Sequence, residues 1–291
     1  MKSVKEIIIV LFLFVLLNPS FAQSKKDKKL QRRIESLVKG FNGDIGVFVK
    51  DIRKNKIVAI NADSVFPTAS MVKIPILIGV MDKIEKGELH YNDELIYKDS
   101  LLYEGVDILG SFKNDEKIEL GKVMMLMLTM SDNTASLWLQ SLAGTGTRIN
   151  QLLDSMGFIN TRVNSRTPGR EINHTVYGWG QTSPREMATL MEKIFRKEVI
   201  GADASIRMMR VLSRNYWDHQ ALSVISPAIQ VFSKNGAVNA SRSEVLLVNM
   251  PRRPYVFCIS TKNNKDERWT PDNEAGQLIR KISALLWNHF E

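Results

Sequence analysis

The sequence predicts an α+β fold, in which an antiparallel β-sheet is flanked by terminal helices and carries an inserted all-helical subdomain. Three observations lead to this prediction. Strand-like apolar runs lie near both ends of the chain, helical spacing dominates between Glu88 and about Asn215, and a helical pattern lies outside the strands at each end. Helix, strands, helical block, strands and helix, in that order, are typical of an α+β domain whose outer strands share one sheet.

The first part of the domain predicts one helix and two strands. Lys25 to Lys29 is a charged leader that we expect to fray. Two strand-like segments, Ile45 to Ile52 and Lys56 to Ile60, are joined by a polar turn consistent with a hairpin. Between the leader and the strands, apolar residues at helical spacing predict an amphipathic helix that ends before Gly40; they are Leu30, Ile34, Leu37 and Val38.

The rest of the chain predicts a helical block followed by strands and a final helix. The polar stretch from Asn160 to Ser183 is a long loop, and loops of that length inside a compact domain are usually functional. Helices are predicted at Ser70 to about Ile84, Leu120–Met130, Thr134–Leu142, Arg148–Met156, Pro184–Phe195, Ala204–Leu212 and about Asn273 to His289. Strands are predicted at Ile229–Ser233, Glu244–Asn249 and Tyr255–Ser260.

These elements divide the chain into three parts. Residues 1–22 form a predicted signal peptide, described below, and residues 23–291 form the folded domain. Within that domain, residues 23–68 and 216–291 build the sheet subdomain, while residues 69–215 build the helical subdomain. We expect a cleft where the two subdomains meet.

The composition excludes several classes of protein. The 291 residues are 44% hydrophobic and 24% charged, with one cysteine, which excludes intrinsic disorder, collagen and a disulfide-stapled mini-protein. Lysine and arginine number 40 against 31 acidic residues, a formal net charge of +9. The basic residues are scattered without interleaved aromatics, so no nucleic-acid partner is predicted.

The first 22 residues have the pattern of a secretory signal peptide. Lys2 and Lys5 precede an apolar run from Ile7 to Leu17, and Ser20-Phe21-Ala22 supplies a small-x-small cleavage signal. The apolar run is too short to span a bilayer as a stable helix. We therefore expect an exported protein, periplasmic or secreted, with no stable membrane insertion after cleavage; an uncleaved anchor is the alternative.

Two segments of the chain carry a serine and a lysine three residues apart. Ser70 and Lys73 open a strong apolar helix, where the hydroxyl lies beside free backbone N–H groups and the lysine lies one turn away on the same face. A serine with an adjacent amine can act as an activated nucleophile. Ser36 and Lys39 have the same spacing, but they lie on the amphipathic N-terminal helix, where they are ordinary helix positions.

Two further motifs distinguish Ser70 from Ser36. Ser131-Asp132-Asn133 follows an apolar helix directly and places three polar side chains at a helix–helix junction, where a helix N-cap is the simpler interpretation. Lys234-Asn235-Gly236 ends a strand with a lysine and a small residue, which alone indicates an edge-strand turn. Together and in this order, the three motifs form a pattern that neither simpler interpretation explains.

The pattern resembles the penicillin-recognising serine enzymes, and most closely the class A β-lactamases. The flanking residues are part of the resemblance, namely Leu128–Ala135, Thr182–Ala188 and Ser241-Arg242. The resemblance covers the chain from about Leu30 to its end. It implies a β-lactamase- or transpeptidase-like fold and an acyl-enzyme mechanism without a cofactor, in which Ser70 attacks the substrate carbonyl.

The resemblance also implies roles for the other motif residues. Lys73 helps to deprotonate Ser70, Ser131 relays a proton to the leaving nitrogen, and Asn133 holds the substrate side-chain amide. Lys234 supplies positive potential for the substrate carboxylate, with Arg242 as its second anchor. Substrate binding at the strand involves Asn235, Gly236 and Ala237, with the backbone N–H groups of Ser70 and Ala237 forming the oxyanion hole.

The sequence departs from the family pattern at two places. Asn235 occupies the middle position of the K-x-G motif, where the family usually has threonine or serine. In the 160–183 loop, threading Thr161-Arg162 onto the family's matching pair places Thr167 at the position of the glutamate that activates the deacylating water. Glu171 then falls where the family has asparagine, so Glu171 is a candidate for this role only if the loop path shifts.

The remaining reactive residue types predict no further chemistry. The histidines show no metal-ligand spacing, so no metal is predicted; they are His90, His174, His219 and His289. Cys258 lies in an apolar strand-like run and is expected to be a buried, inert thiol.

Three functions remain open at this point. The first is a serine hydrolase that acts on the β-lactam amide or a related amide or ester, as a monomer with a small-molecule substrate. The second is a cell-wall peptidase of the D-alanyl-D-alanine type, which has the same motifs without the deacylating glutamate. The third is a non-catalytic module that binds peptidoglycan or a partner protein.

Overall fold

The computed structural model describes residues 24–291, so the predicted signal peptide lies outside the described part of the chain. The predicted α+β class is confirmed. The helices run over α1 Lys28–Val38, α2 Lys73–Glu85, α3 Leu120–Met125, α4 Asn133–Leu142, α5 Thr145–Ser155, α6 Glu171–Tyr177, α7 Pro184–Phe195, α8 Ala202–Leu212 and α9 Glu274–Phe290. Strands run over β1 Lys25–Lys26, β2 Asp44–Asp51, β3 Lys56–Ile60, β4 Phe66–Pro67, β5 Glu94–Ile96, β6 Lys117–Glu119, β7 Arg162–Val163, β8 Gly180–Thr182, β9 Val231–Val238, β10 Ser241–Val248 and β11 Tyr255–Lys262.

One six-stranded sheet organises the described chain, in the order β1-β3-β2-β11-β10-β9. All neighbours in it are antiparallel except β1 and β3. The N-terminal and C-terminal strands therefore share one sheet, as the sequence predicts. Because β9 lies at the edge of this sheet, one side of that strand is free to border a cleft.

Alternation along the strands gives the sheet two apolar faces. On one face, Leu246 and Phe257 pack with Ile34 of α1 and Ile279 of α9 in a buried cluster. On the other face, residues such as Val245 pack with the central helices α2, α4 and α7. The sheet is thus a middle layer, and helix α2, which carries Lys73, lies within the second cluster.

The structure differs from the sequence prediction in its short strands. The Lys25–Lys26 pair does not fray, because its backbone pairs in parallel with Lys56 and Ile57. The predicted helical block also contains the antiparallel pair β5 and β6, and strands β7 and β8, which form a small sheet with β4 from outside the block. Strands of two or three residues carry too little alternation to be recognised in a sequence.

Two predicted features of the chain can be checked against the described residues. Cys258 is fully buried, as predicted, and burial raises the pKa of its thiol to about 12. Within residues 24–291, no helix combines the length and the apolar character that crossing a membrane requires.

Helix α1 depends on its buried face for stability. Ile34 is 0% exposed between α1 and the sheet, and we expect Ile34→Ala to lower the free energy of unfolding by about 2–5 kcal/mol through lost burial and the resulting cavity. Urea denaturation measures the change. The control is Ile172→Ala, because Ile172 is 81% exposed and its loss is expected to cost no more than about 0.5 kcal/mol. Equal losses in the two variants would contradict this packing of α1.

Candidate active site

Ser70 lies in a short 3₁₀ turn, Ala69–Val72, that leads directly into α2. The turn is entered through Ala69, which has a positive φ of 45°. It is held by two backbone hydrogen bonds, from Thr68 N to Gly180 O at 2.9 Å and from Met71 N to Thr68 O at 3.0 Å. The first of these bonds ties the turn to strand β8, so the position of Ser70 depends on the small sheet as well as on the helix.

Lys73 lies at the centre of the polar cluster. Its Nζ is 3.0 Å from Ser70 Oγ and 3.1 Å from Ser131 Oγ, and it donates to Ser131 O at 2.7 Å and to Asn133 Oδ1 at 3.0 Å. The structure therefore brings together four of the residues singled out in the sequence. Ser70 and Asn133 are half-buried, so the cluster reaches the surface through them.

The environment of Lys73 favours its neutral form. The side chain is 0% exposed, and burial lowers its pKa well below the ordinary value, with a further lowering from the nearby charge of Lys234. The charge of Asp132 raises the pKa but does not outweigh the other two effects. A neutral amine 3.0 Å from a serine hydroxyl can accept the proton of that hydroxyl, which is the geometry of a general base and its nucleophile.

Ser131 reaches Lys73 because the chain reverses at the end of a helix. Helix α3 continues as a π-helical turn, Leu126–Met130, and Ser131 follows in a left-handed conformation with φ 64°. Asp132 is then the N-cap of α4 and accepts a hydrogen bond from Ala135 N at 2.7 Å. The N-cap interpretation of this motif is thus correct for Asp132, while Ser131 and Asn133 face Lys73.

Asp132 also holds the loop that covers this junction. Its second carboxylate oxygen accepts from Ile108 N at 2.5 Å and from Leu109 N at 3.0 Å, and the carboxylate is fully buried. The backbone N–H of Asn133 donates to Val106 O at 2.8 Å in the same loop. The sequence pattern indicates the N-cap role of Asp132 but not its role in the loop, because Ile108 and Leu109 become its neighbours only in the folded chain.

Strand β9 brings the third motif against the serine. A Cβ atom placed on Gly236 would lie 2.4 Å from Thr68 O and 2.8 Å from Ser70 N, so only glycine allows this close approach. Lys234 is fully buried and donates to the backbone and side-chain oxygens of Asn235, at 3.0 and 3.2 Å. Ala237 follows, half-buried, at the edge of the sheet.

A buried carboxylate lies on the neighbouring strand, β10. Glu244 of β10 pairs in register with Asn235, is 0% exposed, and accepts from Ala221 N at 2.9 Å. Burial raises the pKa of Glu244 to about 7, and burial lowers the pKa of Lys234 to about 7, while each group's charge favours the ionised form of the other. Glu244 therefore partly offsets the cost of burying Lys234, a role that no pattern in the sequence indicates.

Arg242 pairs in register with Ala237 of β9, and its side chain is bonded to backbone oxygens of the protein itself. Its guanidinium donates to the carbonyls of Val238, Asn239 and Ser241 around the β9–β10 turn and to Arg268 O at 3.0 Å. It is 3% exposed. These bonds hold the hairpin turn and leave the side chain engaged with backbone oxygens, which distinguishes it from a free anchor for a substrate carboxylate.

Glu171 lies outside the polar cluster. It is exposed at the start of α6, where it accepts from Gly169 N at 2.9 Å, and backbone N–H groups of Glu171 and Gly169 hold its pKa below the usual value. The loop path thus makes Glu171 an exposed carboxylate in the first turn of α6. Thr167 is buried instead, with its hydroxyl donating to Ser165 O at 2.8 Å, and its Oγ1 would be 1.8 Å from a Cβ on Gly146.

The 160–183 loop is held by a network that the sequence does not reveal. The guanidinium of Arg170 donates to Asn164 Oδ1 at 2.9 and 3.0 Å and to Gln181 Oε1 at 2.7 Å, and Asn173 Nδ2 also donates to Gln181 Oε1 at 3.0 Å. Polar side chains in a long loop carry no signal of their partners. The network fixes the loop with Thr167 turned toward helix α5.

Two other kinds of candidate site can be examined in the described structure: the second serine–lysine pair and possible metal-binding groups. Ser36 and Lys39 are both exposed on and after α1, so the second serine–lysine pair faces solvent, unlike the buried Lys73 beside Ser70. Among the residues that the structure describes, no group of three or more histidine, cysteine, aspartate or glutamate side chains is arranged to hold a metal ion.

Comparison with known proteins agrees with this geometry. The family model described as "Beta-lactamase enzyme family" matches residues 29–290. β-Lactamase VEB-1 of Pseudomonas aeruginosa is 23% identical over 312 residues, which covers 100% of this chain and 99% of VEB-1. A solved structure of PBP-A superposes with a TM-score of 0.81 at 24% identity, over 92% of this chain and 97% of PBP-A. A mutant of PBP-A, solved as an acyl-enzyme complex with penicillin G, gives a TM-score of 0.80 at 25% identity, over 92% of this chain and 98% of that chain.

The bonds of Asp132 generate a stability prediction. Asp132→Asn places an amide N–H₂ where the carboxylate accepts backbone N–H groups, so we expect a loss of about 1–3 kcal/mol in the free energy of unfolding. We also expect faster hydrogen exchange at the amides of Ile108 and Leu109. Asp203→Asn, at an exposed position in the first turn of α8, is the control and is expected to change stability by less than about 0.5 kcal/mol. Unchanged exchange at Ile108 and Leu109 would contradict the role of Asp132.

Proposed function

We propose that this chain, which belongs to the β-lactamase enzyme family, is a serine enzyme that β-lactams acylate at Ser70 and that releases the acyl group slowly. The observation that carries this proposal is the contact of the buried Lys73 amine with the hydroxyls of Ser70 and Ser131. The arrangement supports acylation. The position of Glu171, exposed and bonded to Gly169, supports slow deacylation.

Acylation follows from the geometry in two steps. Neutral Lys73 accepts the Ser70 hydroxyl proton as Oγ attacks the β-lactam carbonyl carbon, and the carbonyl oxygen becomes an oxyanion stabilised by the backbone N–H groups of Ser70 and Ala237. The C–N bond then breaks as the carbonyl re-forms. The nitrogen receives its proton from the Ser131 hydroxyl, and the ammonium of Lys73 returns one to Ser131 across 3.1 Å, so no net proton is consumed.

Substrate binding is proposed to use the two sides of the cluster. The Asn133 side chain, half-buried beside Lys73, would hold an amide of the substrate's acyl group. Lys234 and the amide of Asn235 would bind its carboxylate on the strand side. Arg242 contributes by holding the β9–β10 turn, because its guanidinium is already engaged with four backbone carbonyls.

A second function, a cell-wall peptidase of the D-alanyl-D-alanine type, is favoured by one observation. When Thr161-Arg162 is matched to the family's pair, Thr167, which has no ionisable group, falls where class A β-lactamases carry the water-activating glutamate, and its side chain is buried against α5. The PBP-A mutant, similar in fold, has been solved as an acyl-enzyme with penicillin G. The two functions share the acylation step and differ in the fate of the acyl-enzyme.

We also propose that the mature protein works as an exported monomer. The charged, apolar and small-x-small pattern of residues 1–22 supports export to the periplasm or the medium. N-terminal sequencing of the protein from the expressing cells tests this proposal, and a chain that retains residues 1–22 would contradict cleavage.

Acylation at Ser70 can be tested against an internal control. Intact-protein mass after mixing with benzylpenicillin should show one covalent adduct for the wild type and for Ser36→Ala, and none for Ser70→Ala. Ser36 shares the spacing of Ser70 but is exposed, so its loss should leave the adduct yield within about 10% of the wild type. A folded wild type without any adduct would reject β-lactams as substrates and leave either another amide or ester substrate or the non-catalytic binding module.

The lifetime of the adduct tests the deacylation step. We expect Glu171→Gln to leave this lifetime unchanged within about twofold, because the Glu171 carboxylate lies outside the polar cluster. A Glu171→Gln variant with a lifetime about tenfold longer would assign water activation to Glu171 instead.

A further inference from the structure

The polypeptide between α8 and β9 contacts three elements next to the polar cluster: strand β9, strand β10 and the π-helical turn that precedes Ser131. We name residues 215–221 the bridging segment. Asn215 Nδ2 donates to Ser233 Oγ of β9 at 3.1 Å, next to Lys234. Ala221 N donates to buried Glu244 of β10 at 2.9 Å. The segment is therefore attached at one end to β9, which carries the K-x-G motif, and at the other end to the neighbouring strand β10.

The middle of the bridging segment is attached to the helix end that precedes Ser131. The Trp217 indole Nε1–H donates to Met130 O at 2.9 Å, and the Tyr216 backbone N–H donates to Thr129 O at 3.1 Å. The last carbonyls of a helix have no partner within the helix, so these two donors satisfy groups that would otherwise be free. The indole ring of Trp217 is half-buried, and the Trp217 backbone N–H donates to Asn215 Oδ1 at 3.2 Å, which fixes the turn.

The position of Ser131 depends directly on the geometry of this helix end. It follows Met130 directly in a left-handed conformation, which a residue with a side chain adopts only when its surroundings impose it. A shift of the Met130 carbonyl rotates the peptide that leads into Ser131. Such a shift moves the Ser131 hydroxyl relative to Lys73 Nζ, which lies 3.1 Å away.

We propose that Trp217 is a positioning residue, which holds the Ser131 hydroxyl in line for proton transfer to the leaving nitrogen through its hydrogen bond to the Met130 carbonyl. This inference deepens the proposed function and rests on it. Trp217 acts on Ser131 through the backbone. Its loss should slow the bond-breaking step while leaving substrate binding unchanged.

The test compares acylation by Trp217→Phe with acylation by the wild type, followed by intact-protein mass over a range of benzylpenicillin concentrations. Phenylalanine keeps a ring in the same place and removes only the N–H donor. We expect the maximal acylation rate to fall by about tenfold to a hundredfold, because a misplacement of about 1 Å has that effect, while the half-saturating concentration changes by less than about twofold. Tyr216→Phe is the control, because the contact of Tyr216 with Thr129 uses its backbone N–H.

A second substrate separates proton relay from general damage to the site. An acyclic thioester expels a thiolate, which leaves without needing a proton, so its acylation rate should stay within about threefold of wild type in Trp217→Phe. If the thioester does not react with the wild type, the division between maximal rate and half-saturation decides alone. Unchanged penicillin acylation, a raised half-saturating concentration, or an equal loss with both substrates would overturn the proposal.

Two further outcomes are distinguished by the design. A wild type that penicillin does not acylate would reject the proposed function itself, before the variant is considered. If Trp217→Phe does not fold, as judged by thermal unfolding, Asn215→Ala replaces it, because Asn215 holds the Trp217 backbone and Ser233. The same selective loss of maximal rate is then expected, and its absence would overturn the role of the bridging segment.

Discussion

The buried amine of Lys73 is the group on which the rest of the site depends. A lysine removed from water must either lose its proton or find acceptors, and this one has four oxygen atoms within hydrogen-bond distance of Nζ. Those oxygens come from the 3₁₀ turn, the end of the π-helical turn and the start of α4. These elements must therefore lie close enough to place all four oxygens within hydrogen-bond distance of Nζ, and the surrounding loops and small strands hold them in that arrangement.

The two buried lysines also set the electrostatic balance of the cleft. Lys234 lowers the pKa of Lys73, and burial lowers the pKa of both. The carboxylates of Asp132 and Glu244 oppose this effect from opposite sides, one at the start of α4 and one on β10. Both are fully buried and both also accept backbone N–H bonds. The same two side chains thus hold loops in place and oppose the lowered pKa values of the two buried lysines.

The two halves of the proposed reaction depend on different segments of the chain. Proposed acylation uses the contacts of Lys73 with Ser70 and Ser131, which are present. Proposed deacylation needs a base beside the acyl group, whereas in the 160–183 loop Thr167 is buried against α5 and Glu171 is exposed outside the polar cluster. Arg170 holds this loop through Asn164 and Gln181, with bonds that need no carboxylate in the cleft. The hydrogen bonds that hold this loop are thus separate from any group that would activate water.

The sequence by itself determined what depends on local spacing. Periodicity placed α7 at Pro184–Phe195 and β3 at Lys56–Ile60, and the three-residue spacing placed Lys73 one turn from Ser70. Only the tertiary structure showed which of Ser70 and Ser36 has a buried lysine beside it, because burial comes from distant segments. It also decided that Arg242 serves the hairpin turn and that Trp217 reaches Met130, 87 positions away. The physical reason is that spacing along a chain fixes which face a side chain occupies, whereas its charge state and partners depend on what the fold packs against that face.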